Sequence, residues 1–168
     1  MEDGNITVQQ MMTRRVHTIG PSNTLLDATA LLRRNHISGL PVVDSRKRVV
    51  GVLSEKDIAR ALSDAGELSL TPCGLLDVMI HTKEKEGPTR SSKEDRDDPL
   101  RMFDECFRSV KVEEVMSRDP LVVDPEMSID VAARMMLDRN VNRLPVVQGQ
   151  RLVGILTRHD VLAAWELA

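Results

Sequence analysis

Aromatic side chains are almost missing from this 168-residue chain: Trp165, Phe103 and Phe107 are its only rings, and it has no tyrosine. Without stacking platforms, the usual mode of binding single-stranded nucleic acid is not expected. The interior is left to aliphatic side chains and nine methionines. Cysteine is equally scarce. Cys73 and Cys106 stand alone, with neither C-x-x-C nor Cys/His spacing, which argues against a zinc site or a disulfide framework and fits a reducing compartment. There is no excess of one charge either: the net charge is −3 and the pI about 5.8, so no global field draws the chain to nucleic acid or to an anionic membrane. Only local basic pairs, Arg14-Arg15 and Arg33-Arg34, remain. No apolar run approaches the roughly 20 residues that span a bilayer, and Met1-Glu2-Asp3-Gly4 is acidic where a secretory signal is basic. A cytoplasmic location is the expectation. Catalytic signatures are missing too: no GxxxxGK(S/T), no HExxH and no nucleophile beside a base, so catalysis is not expected.

What the chain does hold is a duplication. Residues Val8 to Leu62 lie on Val112 to Trp165 with an offset of 104 up to Val43/Val147 and 103 from Arg48/Arg151 onward. The single deletion falls in a turn, where length changes are tolerated best. Matched positions such as Met12/Met116, Pro21/Pro125, Ala28/Ala132, Pro41/Pro145, Gly51/Gly154 and Asp57/Asp160 are too many and too regular for chance.

Each copy predicts the same elements. A short extended segment, around Val16 to Ile19 or Leu121 to Val123, precedes a helix. That helix, Ser22 to Asn35 or Met127 to Arg139, carries Leu25, Ala28, Leu31 and Leu32, or Ile129, Ala132, Ala133 and Met136, at helical spacing. Two apolar strands follow, Leu40 to Val43 and Val49 to Leu53 in the first copy, around the turn Asp44-Ser45-Arg46-Lys47; the second copy turns at Gln148-Gly149-Gln150. A last helix runs from Glu55 to about Ala65, or from Arg158 to Leu167. Between the copies, Leu75 to Ile80 and Leu100 to Phe107 suit short helices. Lys83 to Asp98 has eleven charged residues and no apolar one, the composition of a solvated segment, which is expected to tolerate shortening without loss of ligand binding.

The stretch Gly51-Val52-Leu53-Ser54-Glu55-Lys56-Asp57 recurs as Gly154-Ile155-Leu156-Thr157-Arg158-His159-Asp160. Each is a buried strand that stops at a hydroxyl residue and turns straight into a helix with an aspartate in its first turn. Ser54-x-x-Asp57 and Thr157-x-x-Asp160 are close to a capping box, which serves the fold alone. The free helix N-terminus equally offers N–H groups to an anion, which suits a phosphate and ribose site.

Taken in order, Val-x-x-x-Met-(Thr/Ser), then Gly39-Leu40-Pro41-Val42-Val43-Asp44 or Arg143-Leu144-Pro145-Val146-Val147, then the paired stretch above, resemble tandem CBS domains, the pair called a Bateman module. The resemblance covers about two-thirds of the chain. It implies an α/β (α+β) fold of two β-α-β-β-α units, residues 1–65 and 112–168, packed about a pseudo-twofold axis and joined by the segment 66–111. It also implies two clefts that take adenosine-containing ligands. Carried over, Asp57 and Asp160 would accept hydrogen bonds from ribose hydroxyls, a task that suits ionised carboxylates. Ser54 and Thr157 would face ribose or phosphate, and Arg143 matches a phosphate-binding arginine whose fork can hold two oxygens. The first copy departs from the pattern there, having Gly39. Ser38, Asn142, Lys56 and His159 would line the phosphate ends. Met12, Thr13, Val16 and Ile37, with Ser117, Pro120 and Val141, would edge the adenine pockets. Met12 and Met116 suit core packing as well, and Arg143 suits a structural ion pair.

The expectation is therefore a non-catalytic sensor of AMP, ADP or ATP, a homodimer that signals in trans to an effector protein. Ile58, Ala61 and Leu62, with Val161, Leu162 and Trp165, would form its exposed dimer face. The alternatives are an S-adenosylmethionine sensor, a nucleic-acid-binding regulator and, last, an enzyme. Because Arg143 has no counterpart, the two clefts are expected to be unequal.

Overall fold

A helix of 10 residues, α2 (Leu25–Arg34), follows a short helical turn α1 (Val8–Met11) in a computed structural model that describes residues 6–64 and 107–165. The expectations for residues 66–106, with the helices from Leu75 and Leu100, the charged run Lys83 to Asp98, Cys73 and Cys106, lie outside the described residues. The first copy continues through β1 (Gly39–Val43), β2 (Val49–Ser54) and α3 (Glu55–Asp64). The second runs through α4 (Val112–Val115), β3 (Ser117–Arg118), α5 (Ile129–Asp138), β4 (Arg143–Gln148), β5 (Arg151–Thr157) and α6 (Arg158–Trp165). The architecture is mixed helix and strand, as the resemblance implies.

Local chemistry sets the ends of these elements. Thr24 caps α2: its Oγ1 accepts from the Asp27 N–H at 3.2 Å, and the Thr24 N–H donates to the Asp27 carboxylate at 3.0 Å. Those bonds, the backbone one foremost, hold the Asp27 carboxyl below its ordinary value. In α5 the Ser128 hydroxyl accepts from the Asp130 N–H at 3.3 Å. Both helices end alike, at Asn35 and Arg139, and the next residues, His36 and Asn140, take φ of 52° and 48°. Histidine and asparagine enter that left-handed region more readily than most residues, which stops the helix and turns the chain into the strand.

The strands form two sheets, one in the order β1-β2-β3 and one of β4-β5. The Asp44 carboxylate organises the first hairpin, accepting from the Arg46 and Arg48 N–H groups, each at 2.9 Å, and from Arg48 Nε at 2.7 Å, while Lys47 takes φ 61°. In the second copy, one residue shorter at this point, Gly149 supplies the left-handed step with φ 66°. At equivalent places Ile19 and Val123 add a parallel bridge to Val42 and Val146.

Two compact units emerge, and neither is contiguous. One gathers residues 6–21, 40–52 and 117–165; the other gathers 22–39, 53–64 and 107–116. In the first, the Val8 N–H donates to the Met127 carbonyl at 2.8 Å, the Ile129 N–H to Ile6 at 2.9 Å, and Thr13 exchanges two bonds with Ile155 at 2.9 and 3.0 Å. In the second, the matching bonds run from Val112 to Asn23 at 2.9 Å and from Leu25 to Val110 at 3.0 Å. By sequence order residues 6–13 open the first copy and 110–117 the second. Each of these segments is nevertheless bonded to the other copy, and Ser117 and Arg118 pair with Val52 and Gly51 as Thr13 pairs with Ile155. A four-residue helical turn is unstable alone; burial of Val8 and Val112, both at 0% exposure, holds these two in place. Arg48 bridges Arg151, its own equivalent in the other copy, the mark of a twofold relation between the two hairpins.

The core of the first unit joins Val8 and Met12 to Ile129, Met136, Leu144, Leu156 and Ala164. One expectation is corrected here. Ile58 and Val161 are buried within the monomer, because each faces inward one turn into its helix, and they cannot form an exposed face. The exposed apolar side chains of α6 are Leu162 and Trp165, at 59% and 64%. Ala61 is half-buried, and the Leu62 side chain lies outside the description.

Candidate functional site

β5 passes into α6 without a loop, and the join is closed by reciprocal bonds. The Thr157 N–H and hydroxyl both donate to Asp160 Oδ2 at 2.7 Å, and the Asp160 N–H donates back to Thr157 Oγ1 at 3.4 Å. The Arg158 N–H donates to the Asn142 carbonyl at 3.0 Å. This is a capping box with aspartate in the fourth place, so the structural role of the motif is met. It leaves Oδ1 of Asp160 without a hydrogen-bond partner among the described residues.

Around this carboxylate the first unit brings together several expected residues. Arg143 opens β4 directly across from Thr157, with Asn142 before it. Thr13 runs beside Ile155, two residues upstream of Thr157. Gly154 permits that approach: a Cβ there would collide with Met12 Sδ and lie 3.3 Å from the Thr13 carbonyl oxygen. Met12 itself is buried in the core and spent on this contact, whereas Thr13 is exposed and Val16 and Val141 half-exposed. His159 is exposed in the first turn of α6, and Arg143 is half-buried.

The matching junction in the second unit repeats the cap. The Ser54 N–H donates to Asp57 Oδ2 at 2.9 Å and its hydroxyl donates to the same oxygen; the Asp57 N–H returns to Ser54 Oγ at 3.4 Å. The Glu55 N–H donates to the Ser38 carbonyl at 3.1 Å. Ser38 and Lys56 are exposed and Ile37 is half-buried. Here the two junctions part, because Arg60 Nη2 donates to Asp57 Oδ1 at 3.1 Å. Arg60 was not among the expected site residues, although Asp-x-x-Arg in a helix is a recognisable (i, i+3) pair. The matching residue in the second copy is Ala163.

Ser117 sits exposed on β3. Pro120 lines a pocket of about 620 Å³ in the first unit, with Val49, Val50, Val122 and Val147 as apolar wall and Arg48, Asp119 and Gln150 as polar rim. Among the described residues no His, Cys, Asp and Glu side chains group to hold a metal, and no helix is long and apolar enough to cross a membrane.

A model of the CBS domain matches residues 8–64 and 112–166, the two copies of the duplication. The chain belongs to the CBS-domain family. Similar proteins include the uncharacterized protein MJ1426 of Methanocaldococcus jannaschii, 31% identical over 96% of this chain and 93% of its own length. The chloroplastic CBS domain-containing protein CBSX2 of Arabidopsis thaliana is 31% identical over 97% of this chain, which spans 65% of CBSX2. The crystal structure of CBSX2 in complex with AMP superposes with a TM-score of 0.65 at 29% identity, covering 96% of both chains. This CBS pair therefore shares with its relatives the two-unit fold in which both capped aspartates are set.

Proposed function

We propose that this CBS pair is a non-catalytic sensor that binds an adenosine-containing ligand of the AMP, ADP or ATP class and signals to an effector protein in trans. The observation that carries the reading is the Asp160 carboxylate in the first turn of α6, with one oxygen closing the cap and the other without a hydrogen-bond partner among the described residues, next to the strand pairing of Thr157 with Arg143. A vicinal diol supplies two donors to such an acceptor, and phosphate finds the positive end of the helix together with a guanidinium fork. In this reading Thr157, His159 and Asn142 flank ribose and phosphate, as Ser54, Lys56 and Ser38 do at Asp57. Thr13, Val16, Ile37, Ser117, Pro120 and Val141 contact adenine in this reading. Met12 acts behind them as packing. The AMP held by the related CBSX2 supports the ligand class.

The module acts in the cytoplasm as a homodimer, with Leu162 and Trp165 of α6 as the apolar contribution to the dimer contact. A monomeric mass by light scattering at micromolar concentration would contradict the dimer. The ligand is tested by mass spectrometry of small molecules released from the denatured purified protein, followed by calorimetry with each. An adenine nucleotide is the expected result. S-adenosylmethionine would keep the sensor and change its ligand; a salt-dependent mobility shift with nucleic acid, or nucleotide turnover, would replace the reading.

A further inference from the structure

We infer that Arg60 restricts the first copy's aspartate, so that adenosine ligands engage Asp160 before Asp57. The inference rests on the proposal that both aspartates accept ribose hydroxyls, and it identifies a residue besides Arg143 that makes them unequal.

An ionised carboxylate offers about four lone-pair positions. At Asp160 two are used, both on Oδ2 and both by Thr157. Oδ1 therefore meets the two hydroxyls of a ribose without displacing anything. At Asp57 the same two are taken by Ser54 and a third by Arg60 on Oδ1. A ribose diol engages Oδ1 fully only if the guanidinium leaves, and while it stays the carboxylate is a weaker acceptor because its charge is partly neutralised. The Asp57 side chain is 9% exposed and that of Arg60 59%, so the acid is desolvated while its partner remains within reach of water. Displacement is therefore possible at modest cost. An ion pair exposed on one side is worth at most about a five-fold change in an equilibrium constant. Position 163 holds alanine, and no described residue bonds to Asp160 Oδ1.

Calorimetry with adenosine, which has no phosphate for Arg60 to contact, tests the inference on the full chain. Arg60→Ala is expected to tighten the weaker of two binding events by up to about five-fold and to leave the tighter one unchanged. Arg60→Gln, which keeps most of the stem, should do the same, and the gain should vanish when Asp57→Ala is added. Ala163→Arg should weaken the tight event by a similar factor, with the circular-dichroism melt showing that the variant folds. A weaker event that is unchanged or weakened further in both Arg60 variants overturns the role given to Arg60 and leaves the sensor reading standing. Absence of adenosine and nucleotide binding by the unsubstituted chain overturns both.

Discussion

The two strand-to-helix junctions share their bonds almost atom for atom. Ser54 and Thr157 each donate twice to an aspartate and receive its N–H, and each following N–H donates to a carbonyl of the opposite strand's entry, Ser38 or Asn142. They differ in the side chains around the cap: Arg143 against Gly39, and Arg60 against Ala163. The shared bonds satisfy helix N–H groups that any fold must satisfy. Neither Arg60 nor Ala163 takes part in the bonds on Oδ2 that close the cap. Duplication thus preserved a structural device twice and left each copy a different set of charges beside it.

Several substitutions bear on this contrast. Asp160→Ala is expected to have the largest effect, removing the tight phase of AMP binding. Two charge-assisted hydrogen bonds at about 1.5 kcal/mol or more each correspond to a hundred-fold loss or greater. Asp57→Ala should leave that phase largely intact, and equal losses from both in calorimetry would make the sites equivalent. Arg143→Ala comes next: AMP should weaken by about ten-fold or more while adenosine changes little. A drop no larger for AMP than for adenosine would show that the arginine is structural.

Gly154→Ala addresses the exchanged segment. The added methyl meets Met12 Sδ, and overpacking of this kind costs about 1–3 kcal/mol, read as a lower urea midpoint. An unchanged midpoint would mean that residues 6–13 are not held tightly on β5. The smallest effect concerns the caps of α2 and α5. Asp27 faces Thr24, whereas its match in the second copy is Val131. Because the folded Asp27 carboxyl lies below its ordinary value of 3.8, its contribution is fully present above that pH and is lost as pH falls through the lowered value. Asp27→Asn should therefore cost no more than about 0.5 kcal/mol near neutrality, given solvent screening. The difference from the unsubstituted protein should shrink as the pH falls below 3.8 in urea titrations; a constant difference would remove the charge from the explanation.

Much of the fold was legible because its signals are short in range. Helical spacing through Leu25, Ala28 and Leu32, the turn chemistry of Asp44 and Gly149, and the hydroxyl-x-x-aspartate caps involve residues within a few positions of one another. Their geometry is the same in any surroundings. The Asp57–Arg60 pair belongs to that class too and was within reach of a helical count. Ile58 and Val161 were not. Whether an apolar position at the edge of a helix stripe turns inward or outward depends on what packs over it, and their neighbours are distant in sequence.

By itself the sequence determined the duplication, the order of elements in each copy and the aspartate at each strand-to-helix junction, since periodicity and capping are local properties of the chain. Only the tertiary structure decided that residues 6–13 and 110–117 each bond to the opposite copy, that Met12 is spent against Gly154, that Thr13 stands beside Ile155 and that Arg143 lies across from Thr157. Two copies with nearly equal strands offer nearly equal edges to either leading segment. Nothing in the local pattern distinguishes them, so the pairing is a property of the assembled fold.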